Sequence, residues 1–329
     1  MRRATLFLLS LLLFPAPLPA QSSKNLLLGL ASISGGIDIL YVTKKTGAFK
    51  RNGLDVDFIL FQGGSQALQV LLAGDVKMIS GGGGTAAQRA RMKGAGNLLI
   101  ATYTPTMPFS LYVNHKIQDG RQLKGGKIAI SRFGSSSDFA ARYILARLGV
   151  EPVKEATLMQ IGNQRERLGA LLSGAVDGAL IDPPATLLAR QQGFRQLADT
   201  SALGLVYPHN NIATTERFVR EEPETVMSFL RAFTEGIAFY KMHKVESIQM
   251  IKEFLRLTDN AIAEEAYDYY ARITPAKPYP ILEGIRTVLD EMALTEPAAK
   301  TAKPEQFVDA SFIAKLDKSG YIDGLYKKR

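Results

Sequence analysis

Short apolar runs alternate with helical patterns through the first two-thirds of this 329-residue sequence, and the alternation runs twice. Leu26–Ala31, Leu54–Phe61, Val76–Ser80 and Asn97–Tyr103 read as strands, with helices expected over Ile37–Arg51, Ser65–Ala73 and Thr85–Lys93. The rhythm resumes with strands at Lys127–Ser131, Thr157–Ile161 and Asp177–Ile181, and helices at Ser136–Leu148, Gln164–Ser173 and Ala185–Gln192. Leu68, Leu71, Leu72, Gly74 and Val76 recur one hundred residues on as Leu168, Leu171, Leu172, Gly174 and Val176. At an offset of ninety-nine, Ser32 matches Ser131, Gly35 matches Gly134 and Gly63 matches Gly162. Strands alternating with helices of about ten residues build βαβ units and mainly parallel sheets. Continuous apolar strands agree, because a parallel strand is covered on both faces. Two lobes on one plan are therefore expected.

Two proline-marked segments, Thr104–Pro108 and Tyr207–Asn211, lie where the chain would cross between the lobes. Beyond the second, the pattern turns helical over Glu222–His243, Val245–Leu257, Ala261–Arg272 and Pro280–Met292. Val226, Leu230, Phe233, Ile237 and Tyr240 form one apolar stripe, expected to pack these helices onto the first lobe. The fold class expected is thus α/β: two Rossmann-like lobes with a hinge, plus C-terminal helices on the first lobe. The domain reading assigns residues 1–20 to an export signal, 21–104 and 210–329 to the first lobe, and 105–209 to the second.

The N-terminus carries the export reading. Arg2 and Arg3 precede an apolar run, Leu6 to Phe14, and a Pro/Ala stretch ends at Ala20. Charge, apolar run and small residues in that order are the layout of a secretory signal peptide, and the run is too short to span a bilayer. Cleavage is expected near Ala20. Removal of Arg2 and Arg3 takes the formal net charge from +9 to +7. The remaining cations are scattered, mostly beside acids, which speaks against a nucleic-acid partner. There is no cysteine, so disulfides, thiolate metal sites and cysteine catalysis are excluded, as is a lipid anchor on a mature N-terminal cysteine. His115, His209 and His243 are the only histidines and have no metal-ligand spacing. Neither a catalytic residue, a metal nor a cofactor is expected.

Ligands of open α/β sheets sit beyond the carboxyl ends of the strands, at the loops that lead into helices. Those loops are residues 32–37, 62–66, 81–85, 131–138, 162–165 and 182–185. Glycine and serine there let backbone N–H groups approach a ligand, and helix N-termini favour anions. The candidate ligand-binding residues are Ser32, Gly35, Gly36, Gly63, Gly64, Ser65, Gly82, Gly83, Ser131, Arg132, Gly134, Ser135, Ser136 and Asp182. Arg132 and Arg165 are cations at helix openings, where a compensating anion or a neighbouring acid would answer them. Asp182 would hold a ligand amine or hydroxyl, or cap the following helix. Tyr41, Tyr103 and Phe133 are core residues or walls for an apolar ligand tail. His209 is a hinge-loop residue, in reach of a ligand or on the surface.

The stretches Leu40-Tyr41-Val42, Gly47-Ala48-Phe49 and Asn52-Gly53-Leu54-Asp55-Val56 resemble the opening of the NMT1/THI5-like and SsuA-like substrate-binding proteins. Gly63-Gly64-Ser65-Gln66-Ala67, Leu72-Ala73-Gly74-Asp75-Val76, Leu123-Lys124-Gly125-Gly126-Lys127 and Ala175-Val176-Asp177-Gly178-Ala179 continue the likeness. The resemblance implies the type II periplasmic-binding-protein fold. It implies a monomer that catches a small molecule of the sulfonate, taurine, nitrate or thiamine-precursor class, with the permease and ATPase of an ABC importer as partners. The group's ligand contacts are often tryptophan, which this sequence lacks. Two other readings stand beside this one: a secreted hydrolase using Ser65, and a ligand-sensing receptor subunit.

Overall fold

The computed structural model describes residues 23–81 and 84–327. The expected export signal, Gly82 and Gly83 lie outside the described residues. The first half of the chain runs β1 (Lys24–Leu30), α1 (Asp38–Lys45), α2 (Ala48–Arg51), β2 (Leu54–Leu60), α3 (Gly64–Ala73), β3 (Met78–Ser80), α4 (Thr85–Met92) and β4 (Asn97–Thr106). It crosses into β5 (Ser110–Val113), β6 (Lys127–Ile130), α5 (Ser136–Arg147), β7 (Thr157–Gln160), α6 (Gln164–Leu172), β8 (Gly178–Ile181), α7 (Ala185–Gln191) and β9 (Arg195–Asp199). It returns through β10 (Val206–Thr215) into α8 (Glu216–Glu221), α9 (Pro223–Met242), α10 (Lys244–Leu255), α11 (Asn260–Ile273), α12 (Leu282–Met292), α13 (Ser311–Lys318) and α14 (Tyr321–Leu325).

Two five-stranded sheets result, in the orders β2-β1-β3-β10-β4 and β7-β6-β8-β5-β9. The orders correspond strand for strand, so the repeat in the sequence is a repeat of topology. Its details match too. Leu71 and Leu171 are both 1% exposed, whereas Leu72 and Leu172 are 39% and 47% exposed. Gly74 and Gly174 both end their helices in the left-handed region, at φ 89° and 74°.

The sheets are mixed, against the expectation of mainly parallel ones. β10 runs antiparallel to β3 and β4, and β5 antiparallel to β8 and β9. Each of these two strands enters its sheet straight from the other lobe. The segment expected as a turn-rich crossing, Tyr207–Asn211, is therefore strand, with Pro208 inside the register shift between Val206 and Asn210. Pro105 is accommodated because β4 is an edge strand. The single helix expected over Ile37–Arg51 is two, because Gly47 takes φ 74° between them.

The aromatic stripe of α9 is core: Val226, Leu230, Phe233, Ile237 and Tyr240 are all 0% exposed and pack with Leu28, Ile39, Val42 and Met78 of the first lobe. Gly236 has no room for a Cβ, which would lie 3.1 Å from Thr43 Cα of α1, so the two helices meet at backbone distance. A second core is continuous from the first sheet to the second through Met107, Phe109 and Tyr207. Among the described residues, no helix is long and apolar enough to cross a membrane.

Candidate functional site

Two helices, one from each lobe, open onto one space. α3 begins after Gly63, whose φ of 141° is a glycine conformation, and α5 begins after Ser135. The first-turn amides of both helices have no intrahelical acceptor, as at any helix start, and carry the positive end of the helix dipole. Between them lies a cavity of about 40 Å³, lined by Ser32, Ser34, Gly63, Gly64, Ser131, Ser135, Ser136, Ser137, Arg167, Asp182, His209 and Asn210, with apolar contacts from Ile37 and Phe109. By the measure in which one water needs about 10–15 Å³, this is space for a few waters or one small oxyanion.

Its second-lobe wall is a hydroxyl cluster. Ser131 Oγ lies 2.7 Å from Ser135 Oγ and 2.8 Å from Ser137 Oγ, while Ser131 N–H donates to Ser137 Oγ at 2.8 Å. Ser32 Oγ and His209 Nδ1 are buried at the cavity without a partner among the described residues. A buried polar atom left unpaired is costly, and a hydrogen-bonding ligand would relieve both.

Arg167 is the cavity's cation, 3% exposed. Its Nε donates to the Leu180 carbonyl at 2.7 Å, its Nη1 to Gly162 at 2.5 Å and its Nη2 to Gln164 Oε1 at 3.4 Å. Burial lowers its pKa to about 10, so it stays charged at neutral pH. Asp182 is 1% exposed, and its Oδ2 accepts from the Tyr270 hydroxyl at 2.7 Å. Burial raises its pKa to about 6 against the pull of that bond and of Arg167. Burial, helped by Arg167, lowers His209 to about 3, so its imidazole is neutral.

The lobes touch around this cavity. Ser65 Oγ donates to the Phe133 carbonyl at 2.7 Å, and Ala86 N–H and Thr85 Oγ1 donate to the Gly134 carbonyl at 3.1 and 3.3 Å. Asn163 N–H donates to Gln62 Oε1 at 3.1 Å, and Arg190 pairs with Glu265 at 3.0 Å. Tyr270 on Asp182 adds a further contact between the lobes beside the cavity.

Of the candidate residues, Ser32, Gly63, Gly64, Ser131, Ser135, Ser136 and Asp182 come together at the cavity. Gly35 and Gly36 do not line it: they admit Tyr270, whose ring would lie 2.1 and 2.8 Å from an added Cβ. Ser65 and Gly134 serve the contact between lobes. Arg132 is not among the lining residues, and Arg165 donates to the Leu255 carbonyl across the lobes. Tyr103 is core, Phe133 is 46% exposed, and Tyr41 stacks on Phe254; Phe109 is the aromatic residue that reaches the cavity. Sequence reasoning passed over Arg167, Asn210 and Ser34. The repeat held a signal for Arg167: its counterpart Ala67 is a fully buried helix position, which makes an arginine there a buried cation.

A family model described as NMT1/THI5 like matches residues 36–247. A Bacillus subtilis (strain 168) protein named as an aliphatic sulfonates-binding protein is 23% identical over 290 residues, 86% of each chain. Among solved structures, the alkanesulfonate-binding protein SsuA from Xanthomonas axonopodis pv. citri, bound to MOPS, superposes with TM-score 0.73 at 18% identity, covering 88% of this chain and 99% of its own. The periplasmic nitrate-binding protein NrtA from Synechocystis PCC 6803 gives 0.74 at 14% identity, covering 93% and 91%.

Proposed function

This chain belongs to the NMT1/THI5-like family, and from that premise we propose that it is a periplasmic solute-binding protein. It captures a small anionic or polar molecule by closing two lobes and delivers it to the permease and ATPase of an ABC importer. In this reading residues 21–104 and 210–329 form one lobe, residues 105–209 the other, and β4 and β10 carry the hinge. The observation that carries it is the cavity where two helix N-termini from different lobes, four second-lobe serines and Arg167 converge. Free amides, hydroxyls and a guanidinium are what an oxyanion needs to replace its hydration shell. The names of the relatives support the ligand class, which spans sulfonates and nitrate. Export is supported by the layout of the first 20 residues and by the likeness to periplasmic binding proteins for sulfonates and nitrate.

Relatives named as binding proteins support binding without covalent chemistry. Closure brings Ser32 and Gly64 against Ser131 and Ser136, so one ligand satisfies both lobes and its binding energy holds them together. Unfolding followed by fluorescence in the presence of nitrate, methanesulfonate, taurine and butanesulfonate tests the reading. A true ligand at a hundred times its dissociation constant adds about 2.7 kcal/mol to stability. Melting temperatures unmoved by every compound would overturn it.

A further inference from the structure

The cavity holds one carboxylate and one guanidinium, and they do not neutralise each other by contact. Asp182 lies at the end of β8 and Arg167 on α6, and no ion pair within 4 Å joins Arg167 to any acid among the described residues. The Asp182 carboxylate is instead bonded across the lobes by Tyr270 of α11, with His209 Nε2 of β10 at 3.9 Å. The titratable and charged groups that face it are Arg167 from α6, Tyr269 and Tyr270 from α11, His209 from β10 and Asp38 from α1. Arg167 is the one cation among them. His209 is neutral at physiological pH, and Asp38 is a second buried carboxyl, itself raised to about 7 by burial.

An anion seated on the amides of α3 and α5 would share this small, dry space with Asp182. It would draw on the field of Arg167 and place a like charge beside the carboxylate. Both effects favour the neutral carboxyl. Protonation also changes what Asp182 can do: an acceptor-only group becomes a donor that can bond the anion itself.

We propose that an anionic ligand enters this cavity together with one proton, drawn from the solvent and held on Asp182. The inference rests on the reading of the chain as a small-anion-binding protein. Asp182 is the group that couples binding to pH in it: a monoanion plus a proton leaves the charge of Arg167 answered once, as the carboxylate alone answers it before binding.

Calorimetric titration of the mature chain with methanesulfonate and with nitrate tests this, in Tris and bis-Tris, amine buffers of different ionisation heat. Starting from a carboxyl that titrates near 6, the wild type should take up close to one proton per ligand at pH 7 and bind about tenfold more weakly at pH 8. Asp182→Asn keeps a donor and cannot titrate; it should bind both anions without proton uptake and with pH-independent affinity, about tenfold more tightly than the wild type at pH 7. Tyr270→Phe removes the bond that favours the charged carboxylate, so it should take up less proton at pH 7 and move the fall in affinity to higher pH. Wild-type binding with equal heats in both buffers and no pH dependence would overturn the inference and leave the anion-binding reading intact. Failure of both anions, and of every other compound of the unfolding screen, to bind at any pH would sink both. Where Asp182→Asn does not fold, the wild-type buffer dependence still reads the uptake, and the shift in Tyr270→Phe, whose hydroxyl bonds Asp182 and not Asp38, assigns it.

Discussion

Gly84 gives a way to separate closure of the lobes from the chemistry of the cavity. It precedes α4 at φ −76° and ψ 176°, backbone that alanine adopts freely. The three described atoms nearest an added Cβ all belong to the other lobe: the Gly134 carbonyl oxygen at 2.6 Å, the Ser135 carbonyl carbon at 3.1 Å and Ser135 Cα at 3.2 Å. Real Cβ atoms do not approach backbone that closely, so Gly84→Ala must push the two loops apart. It also disturbs the 3.1 and 3.3 Å bonds that Gly134 accepts from Ala86 and Thr85. Overpacking of this kind costs about 1–3 kcal/mol, and here the cost falls on the closed form alone. A ligand gripped by both lobes should therefore lose roughly 5–150-fold in affinity. Titration calorimetry with methanesulfonate measures that loss, and small-angle scattering should give a larger radius of gyration for the variant. Gly169→Ala is the control: it lies within α6 with no atom within 4 Å of an added Cβ. It should keep wild-type affinity and gain about 0.5–1 kcal/mol of stability. Wild-type affinity and radius in Gly84→Ala would refute the claim that these loops meet when the protein binds.

Three further outcomes are expected. Arg167→Met should weaken anion binding by roughly 10–150-fold, the worth of a charge-assisted hydrogen bond, whereas Arg132→Ala should change it less than about twofold; titration of both variants decides, and the reverse order would refute the assignment of Arg167. Asp38, raised to about 7 by burial from an ordinary 3.8, keeps its proton in the folded protein between about pH 4 and 7 while the unfolded chain loses it. Stability attributable to it therefore falls as pH rises through that window, by up to about 1.4 kcal/mol per unit, and urea unfolding should show Asp38→Asn gaining on the wild type at pH 8 but not at pH 4. Protein recovered from the periplasm should begin at Gln21 or within a few residues by intact mass, and a retained Met1–Ala20 would contradict export by cleavage.

The two βα copies, their helix faces and the loops that carry the cavity's small residues are legible in the order of the amino acids alone. Those signals are local: an apolar period, a glycine that ends a helix, a serine after a strand. The matched burial of Leu71 with Leu171 and of Val76 with Val176 follows from them directly. Which loop residues reach the cavity and which reach the other lobe depends on packing between distant parts of the chain. Arg165 and Arg167 are two residues apart on α6, hence about 200° apart around the helix, and packing of Leu168 and Leu171 on the sheet turned Arg167 inward while Arg165 reached the Leu255 carbonyl. Gly35 and Gly36 look like ligand-loop glycines until Tyr270, more than 230 residues away, occupies the space a side chain would need. β5 and β10 escaped the reading for the same reason. Each is a crossing segment whose partners lie far along the chain, Ser110 against Ile181 and Ile212 against Ala101. Prolines beside them mark a turn when only neighbours are weighed, and become strand ends and bulges once distant backbone supplies the hydrogen bonds.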